Sequence, residues 1–278
     1  MTVSSEFAGS QIARLQRDLT SRIRQTLRTA RVGAVHDLRV AIRKFDQALI
    51  VFEPLLDRKC VRRARRKLKK IMALAGAVRN CDVADDLLNV ADDLLKGRFR
   101  RAGSMIRTQR AEATTALAAA LDSWIDEGYP AKLRHRLRID CPGRALNVGL
   151  SRMTEDFVRY GEKAVRRGSP AALHRFRIAA KHYRYTLDLL APLVGRPATK
   201  RHIKLVKAVQ SRLGNVNDCE TVRRMAAEWF ANAAIDKYLE KTERAEMSRF
   251  RAEWTRRFAD PKFAQRWAEE LRIARHAG

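Results

Sequence analysis

Apolar residues recur at helical spacing along most of the chain. Ile12, Leu15 and Leu19 lie three and four residues apart, as on the buried face of an amphipathic helix, and Leu38 and Ile42 continue this spacing. Gly and Pro are scarce, and the alternating apolar pattern of strands is hard to find. In the first half, the pattern predicts helices at about residues 10–29, 34–56, 59–78, 81–96 and 99–127. The sequence therefore predicts an all-α protein.

The chain contains an internal duplication. A shift of 138 residues aligns residues 35–81 with 173–219 without a gap, and twelve of the 47 aligned pairs are identical. Helical composition alone would not align rare residue types, yet the identical pairs include His36/His174, Pro54/Pro192, Gly76/Gly214 and Cys81/Cys219. A helix-breaking Pro-Gly pair separates the halves near residue 140. We therefore expect two tandem antiparallel bundles of four main helices each, related by a pseudo-twofold axis, with domains at residues 1–140 and 141–278.

Both copies carry a glycine at the predicted end of the third helix. Gly76 and Gly214 suit a helix C-cap, and Asn80 and Asp218 suit the N-cap of the following helix. We therefore expect the third helix of each copy to end at its glycine and a fourth helix to begin a few residues later.

The charge of the chain is strongly one-sided. It has 58 Lys and Arg against 31 Asp and Glu, a formal net charge of +27, and an isoelectric point near 11.0. No acid occurs in residues 58–81 or 189–217, whereas ordinary surfaces mix both signs. The expected partner is therefore a polyanion.

Several other classes of protein are disfavoured. No apolar run approaches the roughly 18 to 20 residues of a transmembrane helix, and the first residues lack a signal-peptide pattern, so we expect a cytoplasmic protein that does not bind membranes. The cysteines contain no CxxC pair and are too few for a disulfide framework, so we expect reduced thiols at Cys60, Cys81, Cys141 and Cys219.

The second helix of each half opens with a histidine and two cations on one side of the helix. His36, Arg39 and Arg43 stand at positions i, i+3 and i+7, and the second copy repeats this spacing at His174, Arg177 and Lys181. A single such pattern is more typical of a capping or core histidine beside a solvated surface. Its recurrence in both halves favours a binding role.

The third helices extend the cationic pattern. Residues 58–70 contain nine cations, and the matching residues 196–207 contain five. A solvated face or a localisation signal is the alternative interpretation, against which the shared register argues. The predicted polyanion-binding residues are His36, Arg39, Arg43, Arg62, Arg63, Arg66, Lys69, Arg79, His174, Arg177, Lys181, Arg184, Lys200, Arg201, Lys204 and Lys207.

Catalytic motifs are missing from the sequence. His36-Asp37 suggests a metal-dependent phosphohydrolase, but its counterpart is His174-Arg175, and the remaining histidines show no ligand spacing with acids. No phosphate-binding GxxxxGK[ST] loop, GxSxG motif or carboxylate pair accompanies the cationic helices. We therefore expect a binding protein without enzymatic activity, bound metal or cofactor.

The paired helix openings VHDLRVAIRKF and LHRFRIAAKHYRY, with the later LAGAVRNCDV and RLGNVNDC, resemble the CHAD family, the conserved histidine α-helical domain. Ala75 stands where the family has Leu in the first of these turns. The resemblance implies two four-helix bundles that form a basic groove or pore for inorganic polyphosphate. It further implies a stand-alone binding protein associated with polyphosphate granules.

Polyphosphate suits the chemistry of the cationic residues. It carries about one negative charge per phosphate, which Arg can hold bidentately and Lys as a point charge, and its binding should weaken steeply with salt. Nucleic acid is the alternative partner, although only 7% of residues are aromatic and most of these lie at core positions. Phosphohydrolase activity is a third hypothesis, which predicts metal-dependent phosphate release. We expect the joint replacement of Arg39 and Arg177 to weaken binding more than replacement of Arg107 and Arg110, which we assign to the surface.

Overall fold

The structure is a computed structural model that describes residues 1–95, 100–137, 139, 143–229, 233–258, 260 and 262–273. Within these residues the α-helices are α1 (Ser5–Thr29), α2 (Val32–Val51), α3 (Arg58–Leu95), α4 (Arg100–Asp126), α5 (Tyr129–Arg136), α6 (Leu150–Arg167), α7 (Pro170–Val194), α8 (Arg196–Trp229), α9 (Ala233–Phe258) and α10 (Phe263–Ile273). A short 3₁₀ helix at Glu53–Leu55 follows α2. Two three-residue strands, β1 (Thr2–Ser4) and β2 (Ala145–Asn147), form a small sheet. The all-α fold class is confirmed.

The chain divides into two compact units. The N-terminal unit contains residues Val3–Leu146 together with Asp218–Leu239, and the C-terminal unit contains Met1–Thr2, Asn147–Asn217 and Glu240–Gly278. The expected domain boundary at residues 140 and 141 lies outside the described residues and stays a prediction. The units differ from the two sequence halves because a segment of the second half packs with the first.

The N-terminal unit is built from neighbouring helices around an apolar core. Helix α1 packs on α2, α2 on α3 and α3 on α4, while α5 contacts α1, α3 and α4. Helix α1 begins where the Ser4 hydroxyl accepts a hydrogen bond from the Phe7 amide at 3.2 Å. Buried side chains at helical spacing, such as Leu19, Leu38 and Leu68, fill the interior. The exposed sides of α2 and α3 are thereby left to polar residues.

The segment 218–239 belongs to the N-terminal unit because its apolar side chains enter that core. Val222 and Ile235 are buried in a cluster with Cys81, Leu88 and Ile106. This cluster joins the second parts of α3 and α8 to the first parts of α4 and α9.

The C-terminal unit has an aromatic core. Helix α6 packs on α7 and on α10, and Phe157 of α6 lies 5.4 Å from the ring of Phe176 and from that of Tyr183, measured between centroids. The ring of Trp254 occupies the space in which a Cβ at position 161 would stand, so α6 has glycine there. Aromatic stacking therefore fixes the inner side of α7, whose outer side carries His174.

The expected break between the third and fourth helices is wrong. Helices α3 and α8 each run without interruption through the region, so Gly76 and Gly214 are interior helical residues and not C-caps. Asn80 and Asp218 are likewise not N-caps. Glycine costs an interior helical position about 1 kcal/mol relative to alanine, which packing along so long a helix offsets. Similarly, Pro192 lies inside α7 and does not end it.

No helix among the described residues is both long enough and apolar enough to cross a bilayer.

Candidate functional site

A histidine surrounded by arginines lies on α2 and α3 of the N-terminal unit. His36 is exposed, and Arg39 and Arg43 follow it along the same side of α2. Partial burial and the positive charges of Arg79, Arg43 and Arg39 hold the pKa of His36 below 6.5, and the negative charge of Asp37 acts in the opposite direction. The imidazole is therefore neutral at neutral pH and can donate one hydrogen bond while it accepts another.

Arg39 is held in place by α3. Its Nη1 donates to the Met72 carbonyl oxygen at 3.4 Å. The same nitrogen lies against Gly76, where an added Cβ would stand 3.0 Å from it. The interior glycine thus makes room for the guanidinium, which explains why a helix-weakening residue stands at this position.

The cations of α3 fall into two groups. Arg65 donates to Asp46 of α2 at 2.7 Å, and Lys67 binds Glu127 and lies over the ring of Tyr129. The second group, which no ion pair engages in the described part of the chain, consists of Arg58, Lys59, Arg62, Arg63, Arg66, Lys69, Lys70 and Arg79. We call His36, Arg39, Arg43, Arg62, Arg66, Lys69 and Arg79 the α2/α3 basic face.

Asp37 is the acid that follows His36 directly, and it has its own partner. Arg22 of α1 donates to its carboxylate at 3.0 Å and also to Gln25 at 3.0 Å. Arg22 therefore offsets an acid at the edge of the α2/α3 basic face. Among the arginines of α1, Arg22 thus has an internal ion pair.

Arg63 lies on another side of α3. Burial raises the pKa of Tyr129 at the start of α5, and the nearby charge of Arg63 acts against that shift. Arg63 thus lies near the start of α5. The structure does not bring it together with His36.

The C-terminal unit repeats the arrangement on α7 and α8. Nη1 of Arg177 donates to the Leu213 carbonyl oxygen at 3.4 Å, beside Gly214, much as Arg39 binds α3. His174 is exposed, and Lys181 lies on the same side of α7. Lys200, Lys204 and Lys207 are exposed on α8. We call His174, Arg177, Lys181, Lys200, Lys204 and Lys207 the α7/α8 basic face.

Two further predicted residues of this unit have internal partners. Arg201 donates to Glu270 of α10 at 2.5 Å, so its guanidinium is turned toward α10. Arg184 lies 4.6 Å above the ring of Tyr185. A guanidinium stacked in this way keeps donors free at its edge.

His202, to which no sequence pattern assigns a role, is fully buried on α8. Its Nε2 lies 2.9 Å from the Glu270 carboxylate and its ring packs 4.3 Å from that of Trp267. Burial lowers the pKa of His202 to about 4, although the hydrogen bond to Glu270 acts in the opposite direction. His202 is therefore a neutral donor that ties α10 to α8. Its first-copy counterpart is Ala64, so the duplication gave no signal for it.

Arg110, which we expected at the surface, is half-buried and has internal partners. Its Nε donates to Asp82 at 2.7 Å, and the Asp82 side chain is only 1% exposed. Arg110 also donates to the Ala30 carbonyl oxygen at 3.1 Å, between α1 and α2. Arg107, one turn earlier on α4, is exposed as expected.

The cysteines of the described residues do not belong to a metal-binding cluster. Cys60 and Cys81 are free thiols, Cys219 is buried, and Cys141 lies outside the described residues. Within the described chain, no three His, Cys, Asp or Glu side chains are grouped so that they could hold a metal ion.

The fold and the two basic faces define the class of protein. It is an all-α protein in which a histidine-bearing basic face occurs in both halves. The model of the CHAD domain matches residues 10–227. The chain therefore belongs to the CHAD family, as the sequence resemblance indicated.

Solved structures show the same fold. The CHAD domain from the plant Ricinus communis superposes with a TM-score of 0.63 at 17% identity, covering 97% of this chain and 92% of that one. PptA from Streptomyces chartreusis superposes with a TM-score of 0.60 at 16% identity, covering 98% of both chains. At these identities the likeness concerns the fold alone. Among curated proteins, none matches this sequence.

Proposed function

We propose that the protein binds inorganic polyphosphate through the α2/α3 basic face and the α7/α8 basic face. The observation that carries this proposal is the division of the α3 cations: Arg65 and Lys67 are neutralised internally, whereas Arg62, Arg66, Lys69 and Arg79 are left without an ion pair among the described residues. An unneutralised cluster stores repulsion that a polyanion relieves. Membership of the CHAD family supports the proposal, because some of its members bind polyphosphate.

The chemistry of the two faces favours a ligand of phosphates alone. Their residues are Arg, Lys and His, which recognise phosphate oxygens by forked or single charge-assisted hydrogen bonds. Aromatic side chains near them, such as Phe45 and Tyr183, are buried in the core and cannot stack on bases. Nucleic acid binding is the alternative, supported by the net charge of +27.

The proposal describes binding without turnover. A phosphohydrolase needs a carboxylate or metal at its phosphate site, and Asp37, the acid that follows His36, is engaged by Arg22. Incubation with polyphosphate and magnesium, manganese or zinc tests this part. Metal-dependent release of phosphate in proportion to protein would show that the protein is an enzyme.

The binding proposal is tested by two double variants with the same change in net charge. Arg62→Gln with Lys69→Gln removes two cations without internal partners, and Arg65→Gln with Lys67→Gln removes two that are paired. Calorimetric titration with polyphosphate of defined length should show at least about tenfold weaker binding for the first variant and a much smaller change for the second.

Competition and salt dependence complete this test. Polyphosphate should displace single- and double-stranded nucleic acid at matched charge, and its affinity should fall linearly with the logarithm of the salt concentration. Equal losses of affinity in the two double variants would show that binding depends on net charge alone and not on the assigned residues. Stronger binding of nucleic acid would make the alternative the better function.

Association with polyphosphate granules is the cellular consequence of the proposed binding. A fluorescent fusion of the full chain should colocalise with granules stained for polyphosphate. The Arg62→Gln, Lys69→Gln variant should be more diffuse, and colocalisation that is unchanged in this variant would contradict the assigned face.

A further inference from the structure

A groove of about 470 Å³ lies between α1 and α5 of the N-terminal unit. Four arginines and three hydroxyl or amide side chains line it, together with Pro130. The lining residues are Gln16, Arg17, Thr20, Ser21, Arg24, Arg28, Pro130 and Arg134. The lining contains no Asp or Glu, so the groove has one sign of charge.

The floor of the groove is fixed by a hydrogen bond. The buried Gln16 side chain donates to the Pro130 carbonyl oxygen at 2.5 Å and so joins α1 to α5. The Thr20 hydroxyl donates to the Gln16 carbonyl oxygen at 2.9 Å, so the backbone of α1 fixes the position of the Thr20 hydroxyl oxygen. The arginines thus surround a surface of defined shape.

The four arginines have no internal neutralisation. Arg17, Arg24, Arg28 and Arg134 are exposed and form no ion pair or hydrogen bond in the described part of the chain. Other arginines of α1 differ in this respect: Arg14 donates to Gln11 at 2.8 Å, and Arg22 binds Asp37 on the side of α1 that faces α2. The groove is therefore separate from the α2/α3 basic face.

The second half of the chain repeats only two of these four arginines. At the duplication shift, Arg28 and Arg134 correspond to Arg166 and Arg272, whereas Arg17 and Arg24 correspond to Glu155 and Glu162. The row of arginines along α1 is therefore complete in the first copy alone.

We propose that the α1/α5 groove is a second anion-binding site that takes a short inorganic phosphate chain. Arg17 and Arg28 lie about 16 Å apart along α1, at the rise of an α-helix, so the row of donors suits an extended anion better than a single phosphate. All four cations are arginines, which can hold neighbouring oxygens bidentately. No lining residue is aromatic, so the groove offers no stacking surface for a base.

The choice of ligand rests on the proposed polyphosphate function, whereas the existence of an anion site does not. The free end of a bound polyphosphate and a separate small oligophosphate share the same chemistry. Inorganic tripolyphosphate is therefore the probe, with ATP as the comparison that adds a nucleoside.

The test uses three double variants of the full chain. Arg24→Gln with Arg134→Gln alters the groove, and His36→Gln with Arg43→Gln alters the α2/α3 basic face. Arg107→Gln with Arg166→Gln is the matched control, because both residues are exposed and lie outside the groove and both faces. Hydrogen exchange of α5 reports on the groove, and calorimetry with tripolyphosphate reports on affinity.

Tripolyphosphate should protect α5 in the wild type, in the control and in the His36→Gln, Arg43→Gln variant. In the Arg24→Gln, Arg134→Gln variant this protection should be lost and the corresponding affinity should weaken at least about tenfold. Protection of α2 and α3 without protection of α5 would overturn the groove and leave the proposed function standing. Protection of α5 with no binding of polyphosphate at the α2/α3 basic face would overturn the proposed function and leave the groove standing as an anion site. Tighter binding of ATP than of tripolyphosphate would overturn the assignment to an inorganic chain.

Discussion

The guanidinium of Arg39 lies where a side chain at Gly76 would need space: a Cβ at position 76 would stand 3.0 Å from Nη1 of Arg39. At the duplicated position, a Cβ on Gly214 would meet nothing within 4 Å. The same glycine of the repeat therefore admits an arginine in one copy and leaves open space in the other.

This difference makes Gly76→Ala and Gly214→Ala a matched pair. Both glycines are helical, so each alanine should raise the free energy of unfolding by up to about 1 kcal/mol. Only Gly76→Ala displaces Arg39, and it should weaken polyphosphate binding by about threefold to tenfold, or about 0.7 to 1.4 kcal/mol. Urea unfolding and calorimetry measure the two effects. Equal affinities of both variants would show that the position of Arg39 does not matter for binding.

The ion pair between buried Asp82 and half-buried Arg110 should be a major contributor to stability. Arg110→Ala leaves the Asp82 carboxylate buried without its partner and removes the hydrogen bond to the Ala30 carbonyl oxygen. The expected loss is about 3 to 5 kcal/mol in the free energy of unfolding. Arg107→Ala, at an exposed position of the same helix, should change it by less than about 0.5 kcal/mol. A small effect of Arg110→Ala in urea unfolding would contradict a major role of this ion pair in stability.

Stability should fall on acidification in a way that depends on His202. The folded protein keeps the pKa of this buried histidine at about 4, whereas the unfolded chain has the ordinary value of 6.5, so the unfolded state binds more protons between these values. Stability is therefore fully present above pH 6.5 and is lost as the pH falls toward 4. One such group changes the free energy of unfolding by at most about 1.4 kcal/mol per pH unit.

The variant His202→Leu isolates this contribution. Its overall stability should be lower, because the hydrogen bond to Glu270 is missing, but its stability should depend less on pH between 4 and 6.5. Urea unfolding at several pH values gives the slope for each protein. Identical slopes would contradict the role of His202.

Polyphosphate binding should be coupled to protonation of His36. Partial burial, Arg79, Arg43 and Arg39 lower its pKa in the free protein, and a bound polyanion would offset these charges and raise it. A pKa that rises on binding means that the complex takes up protons. The affinity should therefore increase as the pH falls from the pKa of His36 in the complex to its lower pKa in the free protein.

Calorimetry in buffers of different ionisation enthalpy measures this uptake. The wild type should take up more protons on binding than His36→Gln near pH 6. Because protonation of the ligand contributes equally to both measurements, it cancels when the two values are subtracted. The same proton uptake in both proteins would place His36 outside the binding face.

Much of the site could be predicted from sequence because it is built from local spacing. His36, Arg39 and Arg43 share a side of α2 by their positions alone, and the repeat placed His174, Arg177 and Lys181 likewise. The helix breaks predicted at Gly76 and Gly214 are wrong, because the cost of about 1 kcal/mol for a glycine inside a helix is smaller than the gain from packing between helices.

The sequence by itself determined the all-α class, the duplication and the register of the cations, because helical periodicity and charge are read from neighbouring residues. Only the tertiary structure decided which cations have partners. Arg65 finds Asp46 on α2, Arg201 finds Glu270 on α10, and Arg24 and Arg134 line one groove although they are far apart in sequence. These relationships arise where the apolar sides of separate helices pack and bring distant polar groups together, and no local pattern records that geometry.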